Sequence, residues 1–211
     1  MTWIIGLCAV CFGICLPLFM HYKKSLHLYM AASYKTLGTL CAFLPALIAA
    51  IRLDPRCTAC AAALFLYAAA DYILEFSFMP GAGFFAAGHI CAIAFFLSLA
   101  PVSILHLLAF LVLAGTLGLV YYRWRKPIGK QMPVFIVYGI SLVFMSACAL
   151  GCFPVRGTAG ILIASGGALF CISDFLLLRR LLFPSERSLS WAVMITYYAA
   201  VMLYGVSCLY L

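Results

Sequence analysis

LYAAADYIL at residues 66–74 and LFCISDFLL at residues 169–177 are apolar stretches with one aspartate at the same place in each. Leu66, Tyr67, Ala70, Asp71, Tyr72 and Leu74 align with Leu169, Phe170, Ser173, Asp174, Phe175 and Leu177, so the shared pattern is Leu-aromatic-x-x-small-Asp-aromatic-x-Leu. The offset of 103 residues is close to half of the 211-residue chain, and it also carries Lys35 onto Tyr138. Self-similarity at such an offset marks two related halves. A carboxylate inside an apolar helix is costly in a bilayer, about 2.5–3.5 kcal/mol at the centre on insertion scales, so both aspartates require a partner or a task.

Outward from these stretches, eight apolar runs follow one another at about 2–20, 32–51, 57–78, 83–98, 103–122, 132–150, 158–178 and 189–210. Each is close to the roughly 20 residues that a spanning helix needs. The breaks are HYKKSLHLYM, RLDPRC, MPGAG, LAP, RWRKPIGKQMP, FPVRG and RRLLFPSERS, where charge, Pro and Gly interrupt the pattern. The runs are continuous rather than alternating, which argues against a β-barrel. The expected fold is an all-α polytopic membrane protein, a single transmembrane domain over 1–211, built of eight helices in two four-helix halves near 1–100 and 101–211. Four spans per half is an even number. The halves therefore share one orientation and are related by an axis along the membrane normal.

The composition agrees: 68% hydrophobic, 9% charged and a mean hydropathy of +1.19. So few charges could not surface a soluble domain, so an extramembrane catalytic or nucleic-acid-binding domain is excluded. The net charge of +8 comes from basic residues at the ends of apolar runs, where they report orientation rather than a nucleic-acid patch. Odd-numbered loops hold Lys23, Lys24, Arg123, Arg125, Lys126, Lys130, Arg179, Arg180 and Arg187, and even-numbered loops hold Arg52, Arg56 and Arg156. This bias puts the odd loops in the cytoplasm and both termini on the other side. The first run lacks the basic start and small-residue cleavage site of a signal peptide and reads as a retained span. Most of the eleven cysteines fall within apolar runs, where Cys is a small hydrophobe, so no disulfide framework is expected. Cys57 and Cys60 form a CxxC without a second pair or a histidine cluster, which reads as structural.

Of five acidic residues, Asp54 and Glu186 lie in loops, leaving Asp71, Glu75 and Asp174. Counting along the helices at 1.5 Å per residue puts both aspartates about 6–10 Å below the cytoplasmic face. The same count brings Lys35, His89, Tyr138, Tyr197 and Tyr198 into that half of the membrane. The residues describe a polar pocket open toward the cytoplasmic leaflet. Other readings stand beside this one: Glu75 as an interfacial residue, Lys35 snorkelling to head groups, and His89 in a structural hydrogen bond. His21, His27 and His106 show no metal-ligand spacing.

Two carboxyls in one low-dielectric pocket do not both ionise readily, so one serves as acid and the other as base. That division suits hydrolysis through an oxocarbenium-like state. It also suits peptide hydrolysis, and proton-coupled transporters use intramembrane carboxylates as well. No GxSxG, HExxH or glycine-rich phosphate loop competes.

In chain order, YKTLGTL with Lys35, AADYIL with Asp71, FFAAGHI with Gly88 and His89, PVFIVY with Pro133 and Tyr138, GALFCISD ending at Asp174, and ITYYAA with Tyr197 and Tyr198 resemble the YhhN-like, transmembrane protein 86 family of lysoplasmalogenases. The resemblance runs from the second span to the eighth. It implies hydrolysis of the vinyl-ether bond of a lysoplasmalogen, an alkenyl-glycerophosphoethanolamine or -choline, to a fatty aldehyde and the glycerophospho-alcohol. Asp71 and Asp174 would be the catalytic pair. Lys35, Tyr138 and His89 would hold phosphate or hydroxyl groups, Tyr197 and Tyr198 would fix the carboxyls, and the alkenyl chain would lie between the halves. No metal or organic cofactor is required. The partners implied are a lysophospholipid and the bilayer, in a bacterial inner membrane or the endoplasmic reticulum. The chain departs from the family pattern at Thr36, Ala70, Ala92 and Val201, the last standing where the family often has Gln. A proton-coupled lipid or small-molecule transporter and a non-catalytic membrane protein are the alternatives.

Overall fold

The computed structural model describes residues 2–129, 132–184 and 186–211. Among these, all regular structure is helical, and eight helices are long and apolar enough to cross a membrane: α1 Thr2–Lys24, α2 Leu28–Arg52, α3 Cys57–Leu74, α4 Phe78–Leu99, α5 Ile104–Ile128, α6 Met132–Gly151, α7 Gly157–Leu182 and α8 Arg187–Tyr210. The protein is an integral, multi-pass membrane protein. In a hydrocarbon solvent each helix must satisfy its own backbone, and these do so with short connections between them. Lys130, one of the basic residues of the fifth loop, lies outside the described residues.

Several boundaries differ from the sequence reading. MPGAG is not a loop: α4 begins at Phe78, and Pro80 sits in its first turn, where the missing N–H breaks no helical bond. The true break is Glu75–Ser77, so α3 stops at Leu74. Likewise α5 and α7 run past their apolar stretches through RWRK and RRLL, because basic side chains at a helix end extend to the interface and interact favourably with the C-terminal dipole.

The helices close into a ring. α2 packs on α3, α3 on α4, α4 on α6, α6 on α7, α7 on α8 and α8 back on α2, while α1 lies outside against α2 and α5 outside against α6. Exchanging each helix for the one four places later maps every one of these pairs onto another, so the two halves are related as the Asp-bearing repeat requires. The packed centre is aromatic, with Tyr67, Phe95, Phe96, Phe170 and Tyr204 fully buried. Small residues bring the backbones together, as is usual where lipid supplies no hydrophobic drive between helices. At Gly205 the approach is closest, since a Cβ there would strike the Ala42 carbonyl of α2.

The two outer helices depart from the symmetry. α1 is pressed onto the ring through Cys11, Leu16 and Phe19, and Cys11 Sγ donates to the Gly38 carbonyl at 3.5 Å. A single π-type turn over Cys11–Cys15, with Leu16 N–H bonded to the Cys11 carbonyl, precedes Pro17. Pro17 has no N–H to give, and the wider turn accommodates that loss. α5 buries only His106 and Ile128, near its two ends. Its middle meets α6 mainly where Leu117 and Tyr121 lie over Gly139, which leaves space between α5 and the ring.

Candidate functional site

A cavity of about 380 Å³ opens inside the ring and continues under α5. Of the side chains singled out in the sequence, Lys35, Asp71, Glu75, Tyr138, Asp174 and Tyr197 line it. Asp71 on α3 and Asp174 on α7, helices on opposite sides of the ring, face one space. Beyond the carboxyls the wall is apolar, with Leu113, Leu117 and Val120 of α5 and Leu142 of α6.

Asp71 is fully buried. Its Oδ2 accepts from the Thr39 hydroxyl at 2.5 Å and from the Tyr197 hydroxyl at 2.8 Å. Lys35 Nζ lies 3.4 Å from Oδ1. This is an ion pair without hydrogen-bond geometry, so Oδ1 has no donor among the described residues. A buried charge needs such compensation, because desolvation otherwise outweighs the attraction. Lys35 also donates to Glu75 Oε1 at 3.4 Å, and Lys23 of α1 pairs with the other oxygen of Glu75. Two lysines and two carboxylates thus form a chain from the cavity wall to the odd-loop end. Glu75 lies just beyond α3. Burial pushes its carboxyl up, but Lys35 and Lys23 more than reverse this and hold it below its ordinary value of 4.5.

Asp174 has a sparser setting. Tyr138 donates to its Oδ2 at 2.6 Å, and no lysine or arginine pairs with it among the described residues. The repeat accounts for the arrangement: Lys35 stands to Asp71 as Tyr138 stands to Asp174, one repeat apart, and each faces the carboxyl of its own half.

His89 and Tyr198 lie outside the cavity lining. His89 Nδ1 pairs with the Tyr67 hydroxyl at 2.8 Å, and its ring packs on Phe170. Tyr198 donates to the Lys35 carbonyl at 3.0 Å rather than to a carboxyl. Sequence reading overlooked Thr39, although it lies one turn after Lys35 on the same helix face. It also treated Lys23 and Arg180 as topology markers, whereas both line the cavity. Among the described residues, no group of three or more His, Cys, Asp or Glu side chains is gathered closely enough to hold a metal ion.

The YhhN family model matches residues 30–207. The chain belongs to the YhhN family. No curated protein and no solved structure matches it. The YhhN match spans α2 to α8 and so includes both aspartates, Lys35, Thr39, Tyr138 and Tyr197, while Lys23 and the rest of α1 precede it. In this YhhN protein, then, the ring and both carboxyls belong to the matched region, and α1 adds a cation from outside it. Chemically, the site offers one carboxylate surrounded by donors, one carboxyl held by a single hydroxyl, and an apolar channel leading away from both.

Proposed function

We propose that the protein is a lysoplasmalogenase, an ether hydrolase acting on the vinyl-ether bond of a single-chain glycerophospholipid. The observation that carries this reading is the unequal setting of two carboxyls on one cavity. Asp71, with two hydroxyl donors and Lys35 beside it, is built to stay ionised. Asp174, with one hydroxyl donor and no cation, is the group that carries a proton into the site. Family membership supports the assignment at the level of the YhhN family.

A vinyl ether reacts by protonation at its β-carbon. Asp174 delivers that proton from Oδ1 while Tyr138 holds Oδ2, and the α-carbon becomes an oxocarbenium ion. The Asp71 carboxylate stabilises the cation, a preorganised charge placed where positive charge develops. Water adds to the α-carbon and its proton returns to Asp174. The hemiacetal then transfers its hydroxyl proton to the glycerol oxygen as the C–O bond breaks, giving aldehyde and alcohol with no net proton consumed. In this assignment Tyr138 serves Asp174 rather than a phosphate, and Lys35 and Tyr197 position Asp71. The channel under α5, rather than the junction between the halves, takes the alkenyl chain. With the odd loops in the cytoplasm, in an inner membrane or the endoplasmic reticulum, the site faces the cytoplasmic leaflet.

The test is aldehyde release from a lysoplasmalogen by purified protein in detergent, beside a saturated-ether lysolipid control. Wild type is expected to release aldehyde from the vinyl ether alone, and folded Asp71→Asn and Asp174→Asn variants to fall at least about 100-fold, the scale of lost general acid catalysis. Near-normal turnover by both variants would overturn the mechanism. No aldehyde from folded wild type would overturn the activity itself and favour transport.

A further inference from the structure

Three cations line the cavity: Lys23, Lys35 and Arg180. Lys23 and Lys35 are committed to Glu75 and Asp71, and those four charges cancel. Arg180 makes no ion pair and no side-chain hydrogen bond with any described residue, though it is partly withdrawn from solvent. Its neighbour Arg179 is exposed and does not line the cavity. Arg180 therefore presents to the cavity a planar, five-donor cation with no ion-pair or hydrogen-bond partner among the described residues, and with Asp174 protonated it is the one charge there that is not balanced.

The position of that charge is specific. Arg180 follows Asp174 by six residues on α7, a rise of about 9 Å toward the odd-loop end. In a 1-alkenyl-glycero-3-phosphate unit, seven bonds separate phosphorus from the vinyl β-carbon, and at the ~1.2 Å per bond of an extended chain they reach about 8 Å. A molecule with its β-carbon at Asp174 and its chain along Leu117 and Val120 would thus bring its phosphate to Arg180. We propose that Arg180 is the phosphate-binding, specificity-determining residue of this site, taking the phosphodiester of a single-chain glycerolipid in a bidentate pair. The assignment rests on the ether-hydrolase reading for its orientation. The ligand chemistry, an organophosphate monoanion joined to an alkyl chain, stands on the cavity itself.

The experiment measures binding of three unreactive probes to the full-length protein: 1-O-alkyl-glycero-3-phosphoethanolamine, 1-O-alkylglycerol, which lacks phosphate, and glycerophosphoethanolamine, which lacks the chain. Aldehyde release from the vinyl-ether counterparts of the first two is followed in parallel. Wild type is expected to bind the first probe best. Arg180→Gln should weaken that probe about 10- to 100-fold, the scale of one charged hydrogen-bonded contact, and raise KM for the phosphate-bearing substrate with kcat largely kept. Alkylglycerol binding should not change, Arg180→Lys should recover part of the loss, and Arg179→Gln should behave as wild type. Unchanged binding of the phosphate probe in folded Arg180→Gln, or equal loss with alkylglycerol while Arg180→Lys restores both, would overturn the proposal, as would glycerophosphoethanolamine binding as tightly as the alkyl probe. Absence of turnover with any vinyl ether counts against the hydrolase reading alone, because the probe comparison does not depend on chemistry.

Discussion

The two halves hold their equivalent carboxyls with different groups. Lys35 and Tyr138 occupy equivalent places, yet one is a cation 3.4 Å from Asp71 and the other a hydroxyl 2.6 Å from Asp174. Thr39 and Tyr197 crowd Asp71 Oδ2, while the residue one repeat after Thr39 is Leu142, which can donate nothing. One repeat has thereby been turned into two chemically different sites. The aspartates and their lysine and tyrosines were legible in the sequence because each is a polar exception in an apolar run. Thr39 was not, since a threonine in a membrane helix commonly bonds its own backbone, and His89 proved to serve Tyr67 because only packing shows which neighbour a buried imidazole meets. At the mouth, Glu75 has a lowered folded-state value. Its contribution to stability is therefore complete above the ordinary value of 4.5 and is lost as the pH falls through the lower folded value. Thermal unfolding in detergent is expected to shift downward below about pH 4.5 in wild type, and Glu75→Gln should start lower at neutral pH and shift less on acidification. An equal acid shift in the variant would remove Glu75 from that account.

Helices in this protein meet through small residues, and two glycines show how unequal such positions are. A Cβ at Gly88 would strike the Tyr67 ring and approach the Ala63 carbonyl, whereas a Cβ at Gly115 of α5 meets nothing within 4 Å. Gly88→Ala is expected to destabilise the protein by about 1–3 kcal/mol, the scale of overpacking a close-packed contact, and Gly115→Ala to leave it unchanged or slightly more stable. Detergent-solubilised melting temperatures check both. Helix number was plain from the apolar runs. Helix ends were not, because Pro80 is tolerated in a first turn and arginines at the interface prolong α5 and α7 beyond the hydrophobic pattern. The position of α5 was equally hidden: its sequence is as apolar as that of buried helices, and lipid and protein select for the same residues.

At the scale of the molecule, the repeat of Asp71 and Asp174 foretold two like-oriented halves, and the ring of six helices realises them. Sequence periodicity has no means of saying that α4 closes on α6 and α8 on α2. Orientation in the membrane is testable directly, because none of the eleven cysteines is exposed. In bacterial cells that carry the protein in the inner membrane, an impermeant thiol reagent is expected to label Pro55→Cys in the second loop and to spare Ser25→Cys in the first, with Ser25→Cys reacting once the membrane is opened. The reverse pattern would turn the cavity mouth to the opposite leaflet.

The loose seat of α5 has a consequence for the material in which the protein works. Because this helix is tied near its ends and along one strip of α6, few contacts fix the width of the space beneath it. Where acyl chains complete its edge, the enclosure would be a composite wall whose compliance belongs jointly to protein and membrane, and its width would follow the lateral pressure and thickness of the surrounding leaflet. On the lysoplasmalogenase reading, single-chain lipids that loosen a membrane would widen the space proposed to take them.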